Sequence, residues 1–273
     1  MDETVKIHWF PGHMAKAVRE LGAYVKAADV VIYVLDARTP ASCINPDFAS
    51  VIGDRPVLYA LTKADLADPA QTAAWLKKLP AAVALDATMS GAAREILPLV
   101  DKLAAKKREK WAAKGVLYIP RAVVIGVPNT GKSTLINNLC KKAKTKTGDK
   151  PGVTRGRQWV KLESVDLLDT PGALPHKMED VEAAKKLAFV GCVKDEVIDL
   201  TALAGELIKT LNAMDPGILS RRYGKPVSSL ADAAEARGYV RAGGNSDTER
   251  AATALIGDLR AGRLGRITLD SAL

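Results

Sequence analysis

The 273-residue chain contains no apolar run of 18 residues, so no segment of it reads as a membrane-spanning helix. Its first ten residues, MDETVKIHWF, carry two acids and no apolar h-region. The expectation is therefore neither a secretory signal nor an Arg-rich import sequence. Cysteine is scarce. Cys43, Cys140 and Cys192 are odd in number and far apart, which argues against a disulfide framework and against metal-ligand spacing. They read as small buried hydrophobes in a reducing cytoplasm. Neither an internal repeat nor a low-complexity tract is visible. With 48% apolar and 26% charged residues, the chain reads as one large or two modest soluble domains.

Positive charge is in excess, and it is unevenly placed. Of the net +9, all falls in residues 1–176, which hold 26 Lys/Arg against 17 Asp/Glu; residues 177–273 hold 14 of each. The basic residues concentrate in Lys102–Lys114 and Lys141–Lys150. Such a domain suits a polyanionic partner, RNA foremost, although a solvated helix face and loop would look the same.

Hydrophobic patterning divides the chain near residue 177. Before it, continuous apolar β-branched runs (30–36, 57–61, 82–85, 121–125) read as buried parallel strands. Between them lie helical periods at 14–28, 71–79, 92–114 and from the Gly126 turn to Leu139, with a hairpin pair at 159–162 and 165–168. This alternation predicts a mostly parallel α/β sheet with helices on both faces. After Pro175 helical periods dominate, at 181–190, 195–214, 230–237 and 248–261, punctuated by Pro216–Gly217, Gly224–Pro226 and Gly243–Gly244. The expected domains are 1–176, α/β, and 177–273, all-helical.

Three motifs carry chemistry. Gly126-Val-Pro-Asn-Thr-Gly-Lys-Ser133 has the G-x-x-x-x-G-K-[ST] spacing of a phosphate loop, with a strand before it and a helix after it. Backbone N–H groups of Asn129, Thr130, Gly131, Lys132, Ser133 and Thr134 would turn toward phosphate oxygens at the positive end of the helix dipole. Lys132 would reach the β- and γ-phosphates, and the Ser133 hydroxyl would ligate magnesium. Asp169-Thr-Pro-Gly172 ends a strand, where the Asp169 carboxylate can hold the magnesium shell and the Gly172 N–H can face the γ-phosphate. Thr62-Lys63-Ala64-Asp65 is similar to the N-K-x-D motif that selects guanine. A carboxylate at Asp65 accepts from both the ring N1–H and the exocyclic amine, a pair of donors adenine lacks on that edge. The Lys63 stem would lie along the base, and Thr62 in place of Asn should weaken loop bracing more than base choice. Thr154, in Pro151-Gly-Val-Thr-Arg155, can bring a hydroxyl to magnesium in the triphosphate state and release it after hydrolysis; an ordinary loop threonine is the alternative.

The guanine-reading motif precedes the phosphate loop, the reverse of the usual order. In this the chain resembles the circularly permuted GTPases of the YlqF/RbgA type, the ribosome biogenesis GTPase A family. The resemblance extends to Trp9-Phe-Pro-Gly-His-Met-Ala-Lys16, Asp36-Ala-Arg38, Arg237-Gly238, Gly243-Gly244 and Asp258-Leu-Arg-Ala-Gly-Arg-Leu-Gly-Arg266. It implies a slow GTPase, converting GTP to GDP and phosphate, that is stimulated by the ribosome and assists late assembly of the large subunit. It implies binding to that subunit and its rRNA, with DNA not expected as a partner, and a cytoplasmic monomer when free. Asp86-Ala87-Thr88 stands where the family has its base-contacting S-A-x motif. Ala173 follows Gly172, where many GTPases place a water-orienting Gln, so the resemblance points instead to His13 to position water; helix capping or an RNA contact are the alternatives. Asn129 would help hold a potassium ion beside the phosphates, or would brace the loop. The C-terminal helices are the expected RNA contact, since residues 237–266 hold six Arg against three acids; a packing module is the alternative. A nucleotide kinase or a protein-partnered membrane GTPase remain rival classes, the first needing no guanine motif and the second no RNA affinity.

Overall fold

A computed structural model describes residues 11–89, 91–144, 159–175 and 180–272. Contacts divide the described residues into two compact units, one from 11 to 175 together with 270–272, the other from 180 to 269.

The first unit begins with α1 (Pro11–Lys26), then β1 (Val30–Asp36), α2 (Asp47–Ile52), β2 (Val57–Thr62), α3 (Pro69–Lys78) and β3 (Ala82–Ala84). Next come α4 (Ala92–Leu103), α5 (Ala105–Ala112), β4 (Arg121–Ile125), α6 (Lys132–Lys144), β5 (Val160–Lys161) and β6 (Asp166–Asp169). The strands form one sheet in the order β3-β2-β1-β4-β6-β5, parallel throughout except for the antiparallel β5–β6 pair. β1 lies at the centre with all seven residues buried, which explains its unbroken apolar run. Alternate strand residues Val30, Ile32, Val34, Leu58, Ala60 and Val124 pack with Ile96 and Val100 of α4 and Leu135 and Leu139 of α6. Tyr33 points the other way, with its ring 5.6 Å from that of Phe48 on α2. The register sets Asp36 beside Thr62 and Val124 beside Asp169, so the residues following these strands share one edge of the sheet.

The predicted strands and the hairpin match β1–β6. The single helix expected over 92–114 is two, separated at Ala104. The apolar stripe ends there: α4 buries Ile96 and Val100, whereas α5 buries no side chain. Helix α2 has no long period to announce it. Just before it the Asn45 side chain accepts from Asp47 N–H at 2.9 Å, a local turn that leads into the helix.

In the second unit, α7 (Val181–Phe189) is followed by a 3₁₀ turn (Asp195–Val197), then α8 (Leu200–Met214), α9 (Gly217–Tyr223), α10 (Leu230–Ala236) and α11 (Thr248–Arg260). α8 is the central helix, burying Leu203, Ala204, Leu207, Ile208 and Leu211. The helix expected over 195–214 is interrupted because the Asp199 carboxylate accepts from Thr201 and Ala202 N–H groups and so caps α8 there. Pro216–Gly217, read as punctuation, opens α9 instead: Pro starts a helix readily, and Asp215 accepts from Gly217 N–H at 2.7 Å. Asp258 is an ionic hub, pairing with Arg222, Arg237 and Arg263.

Residues 270–272 pack with the sheet, outside the helical domain expected over 177–273. The Asp270 carboxylate accepts from Ser42 N–H and hydroxyl, and its carbonyl accepts from Trp75 Nε1 at 2.9 Å. Cys43 and Cys192 are buried as expected, and Cys140 is half-buried. Among the described residues no helix is long and apolar enough to cross a membrane.

Candidate functional site

Three segments meet at the C-terminal edge of the sheet, where strands of an open α/β sheet present their loops. The first is residues 126–133, between β4 and α6. Gly126 has φ 149°, and a Cβ there would lie 2.4 Å from the Val34 carbonyl oxygen, so the loop can pass β1 only as glycine. Thr130 Oγ1 donates to Val127 O at 3.0 Å and closes the loop on itself. Lys132, 6% exposed, donates from Nζ to the same carbonyl at 2.7 Å and so lies across the loop's mouth. Ser133 and Thr134 are exposed on the first turn of α6.

The second segment follows β6. Ser133 Oγ donates to Asp169 Oδ2 at 3.2 Å, while Asp169 Oδ1 is buried without a hydrogen-bond partner. Burial raises the Asp169 pKa above the usual carboxylate value, against the lowering effects of the Ser133 hydrogen bond and the Lys132 charge. A carboxylate with one oxygen bonded to a serine hydroxyl and the other left without a partner is a donor set that suits a hard divalent cation. Thr170 Oγ1 donates to Val124 O at 2.6 Å, and Ala173 N–H donates to Gly126 O at 3.3 Å, tying the segment to the loop. A Cβ on Gly172 would fall 2.7 Å from Pro128 N and Cα and 2.8 Å from Lys132 Nζ, so this close approach also demands glycine.

The third segment follows β2. Thr62 Oγ1 lies 2.5 Å from Thr130 O and 3.0 Å from Leu35 O. Its one hydroxyl proton thus braces the phosphate loop where an asparagine amide was expected, so the departure from the N-K-x-D pattern keeps a brace. Lys63 adopts φ 55° and Asn129 φ 59°, both rare for residues with a side chain. The two are joined: Lys63 Nζ donates to Asn129 O at 2.8 Å. The same ammonium pairs with Asp36 Oδ2 at 2.8 Å. Asp36 is fully buried and also receives Arg38 through its backbone N–H, Nε and Nη2. Burial alone would raise the Asp36 pKa; hydrogen bonds and charge from Arg38 and Lys63 outweigh it and hold the carboxyl below its usual value. Asp65 is exposed beyond this clamp.

Asp86-Ala87-Thr88 closes the group. Asp86 Oδ1 accepts from Thr88 N–H at 2.8 Å and Oγ1 at 2.6 Å, and the Asn138 side-chain amide donates to Ala87 O. A Cβ on Gly131 would lie 3.6 Å from Thr62 and 3.8 Å from Ala87. The structure therefore brings Thr62, Lys63, Asp65, Asp86–Thr88, Asn129–Thr134, Asp169 and Gly172 to one edge. His13 falls on α1 but its side chain lies outside the described residues, as does Thr154 altogether. In the sequence Asp36-Ala-Arg38 stands out only as part of the family pattern. The available signal was an acid closing an otherwise apolar buried strand, which must find a cation.

Parallel strands, a phosphate loop clasped by the two segments beside it, and a Thr-Lys-x-Asp loop that comes earlier in the chain define a circularly permuted phosphate-loop GTPase domain. The sequence model of a family described as "50S ribosome-binding GTPase" matches residues 121–220. Ribosome biogenesis GTPase A of Bacillus cereus is 38% identical, over 97% of this chain and 94% of that protein. The protein of the same name from Bacillus licheniformis is 38% identical, over 97% of this chain and 98% of its own. The structure is similar to the crystal structure of GNP-bound YlqF from T. maritima, with a TM-score of 0.65 and 27% identity, covering 94% of this chain and 98% of that one. The chain belongs to the ribosome biogenesis GTPase A family.

Proposed function

We propose that this GTPase is a nucleotide-controlled switch that assists late assembly of the large ribosomal subunit in the cytoplasm through contacts with rRNA. The observation that carries the nucleotide reading is the double clasp on the phosphate loop. Thr62 and Lys63 hold it from the base side, and Gly172 with Ala173 hold it from the γ-phosphate side. Hydrolysis that removes contacts at Gly172 would therefore be felt directly at the loop, and the loop is tied in turn to the base-reading segment.

In this reading the N–H groups of residues 129–134 and the helix dipole neutralise phosphate charge. Lys132 leaves Val127 O for the β- and γ-phosphates. Asp65 selects guanine, with the Lys63 stem against the base and Asp86–Thr88 at its edge. Ser133 and Asp169, joined by Thr154 in the triphosphate state, would hold magnesium, which supplies charge stabilisation at the phosphates. The exposed Asn129 side chain would hold a potassium ion. Ala173 is buried and has no group to orient water, which supports slow turnover alone and a site completed by His13 on the ribosome.

Steady-state GTP hydrolysis in potassium buffer, with and without purified large subunits, tests this. Stimulation by the large subunit, lost in His13→Ala while GTP binding persists, is the expected result. Equal rates with and without subunits would overturn the assembly-switch reading.

A further inference from the structure

The arginines expected to give the helical unit a basic face are engaged at home. Arg237 and Arg263 pair with Asp258, Arg260 with Asp195, and Arg241 with Asp247 and Glu249. Arg250 lies over the Tyr239 ring, 4.3 Å from its centroid. Arginines paired with carboxylates release few counterions and add little to polyanion binding.

The first unit is different at α5. Lys106 and Lys110 on α5 are exposed four residues apart, and the exposed Lys114 follows in the turn after the helix, with no carboxylate partner among the described residues. Four residues of helix advance about 6 Å, so the Lys106 and Lys110 ammonium groups are spaced on the scale of successive phosphates along a nucleic-acid strand. The surface is firmly placed. Asp29, just before β1, receives Lys107, the Tyr118 hydroxyl at 2.8 Å and the Arg121 N–H at 2.8 Å. The Trp111 and Tyr118 rings stack with centroids 5.6 Å apart, and Lys114 lies over Trp111. Beside them Leu117 is 90% exposed, flanked by the exposed Val116 and Ile119. An apolar stretch of this kind beside a cation row has no use to a solvated helix face, but it suits the sugar and base edges next to a phosphate track. All of it sits where β4 begins. The phosphate loop leaves the other end of that strand, about 16 Å away at five residues of strand rise.

We infer that α5 and residues 114–119 form an RNA-docking surface on the GTPase domain, with the lysine row on the phosphates and Leu117 against the sugar or base edges, able to bind while nucleotide occupies the opposite edge. This inference rests on the proposed rRNA contact and locates it.

Binding of a large-subunit rRNA transcript is measured against potassium chloride concentration for the intact protein and for the triple variant Lys106→Gln, Lys110→Gln, Lys114→Gln. The expected result is an affinity loss of about 10- to 100-fold at low salt and a salt slope shallower by about 2 to 3, one phosphate contact per lysine. Leu117→Ser should weaken binding with the slope unchanged. Thermal unfolding and GDP affinity of each variant check that the fold is intact, as substitutions at exposed positions allow. No binding by the intact protein overturns the rRNA reading itself. Intact binding with the same affinity and slope in the triple variant overturns only the α5 surface. Loss of binding to whole large subunits without loss on naked rRNA would make the partner a ribosomal protein and also refute the surface as an RNA site.

Discussion

Replacing Asp36 by Asn keeps the side chain's shape and removes its charge. In the folded protein this carboxylate is fully buried and answers two cations, Arg38 at 3% and Lys63 at 28% side-chain exposure. Removing one partner of a buried ion pair costs about 3–5 kcal/mol, because the remaining charge is stranded. Lys63 can reach water and recover part of this, so about 3 kcal/mol of stability is the expected loss. A second effect falls on the nucleotide. Lys63 loses one of its two anchors, and the stem expected to lie along the base is then free to rotate. The loss of one charge-assisted hydrogen bond, about 1.5 kcal/mol, corresponds to about tenfold weaker GDP binding. Urea unfolding gives the first number, and titration with a fluorescent GDP analogue at a temperature well below the melting point gives the second. Lys63→Met should reproduce the affinity loss with a smaller stability loss, and adding Asp36→Asn to it should cost little further affinity, because the two act through one contact. Inorganic triphosphate, which has no base, should compete equally well against the intact protein and Asp36→Asn, in which Lys63 keeps its bond to Asn129 O. If Asp36→Asn binds GDP like the intact protein, or loses triphosphate and GDP affinity in equal measure, the clamp does not act on the base and the reasoning fails.

Asp65→Asn presents an amide where the proposed reading has a carboxylate accept from two guanine donors, so GTP affinity should fall by roughly 100-fold or more, two charge-assisted hydrogen bonds being worth about 3–6 kcal/mol. XTP, whose C2 oxygen accepts from the new amide, should gain; competition binding with both nucleotides reads the exchange, and a variant still preferring GTP would remove Asp65 from base selection. Gly172→Ala forces a methyl into Pro128 and Lys132. With overpacking costs of about 1–3 kcal/mol, hydrolysis should drop roughly 10- to 100-fold while GDP binding changes little, which single-turnover kinetics would show. Asp258 is held below the usual carboxylate pKa: burial raises it, but the hydrogen bonds from Arg222 and Arg263 and the charges of Arg222 and Arg237 prevail. A lowered folded pKa gives stability present above the unfolded value near 4 and lost as pH falls through the folded one. Acid should therefore loosen the helical unit below about pH 4, and Asp258→Asn, costing about 2 kcal/mol at neutral pH because its arginines are partly exposed, should flatten that dependence. Circular dichroism melts from pH 7 to pH 2.5 compare the two, and parallel curves would show that Asp258 does not carry the acid sensitivity.

What local rules control was visible in the sequence. A run such as Val30–Asp36 reads as a buried strand, and a glycine–lysine–serine turn between a strand and a helix has the spacing of a phosphate loop. The order of motifs was readable too, and with it the permuted connection of the sheet. What stayed hidden depended on partners far away in the chain. The break at Ala104 needs the core to run out, and the role of Thr62 needs Thr130 O, 68 residues on, within 2.5 Å. The arginines of residues 237–266 looked like a basic face because a sequence counts charges without pairing them; folding aims three arginines at one buried carboxylate, Asp258. The lysines of α5 looked no different from those arginines in one dimension. Only the tertiary structure separates them, because a charge is available to a partner when no element of the same fold brings a counter-charge to it, and that is decided by packing.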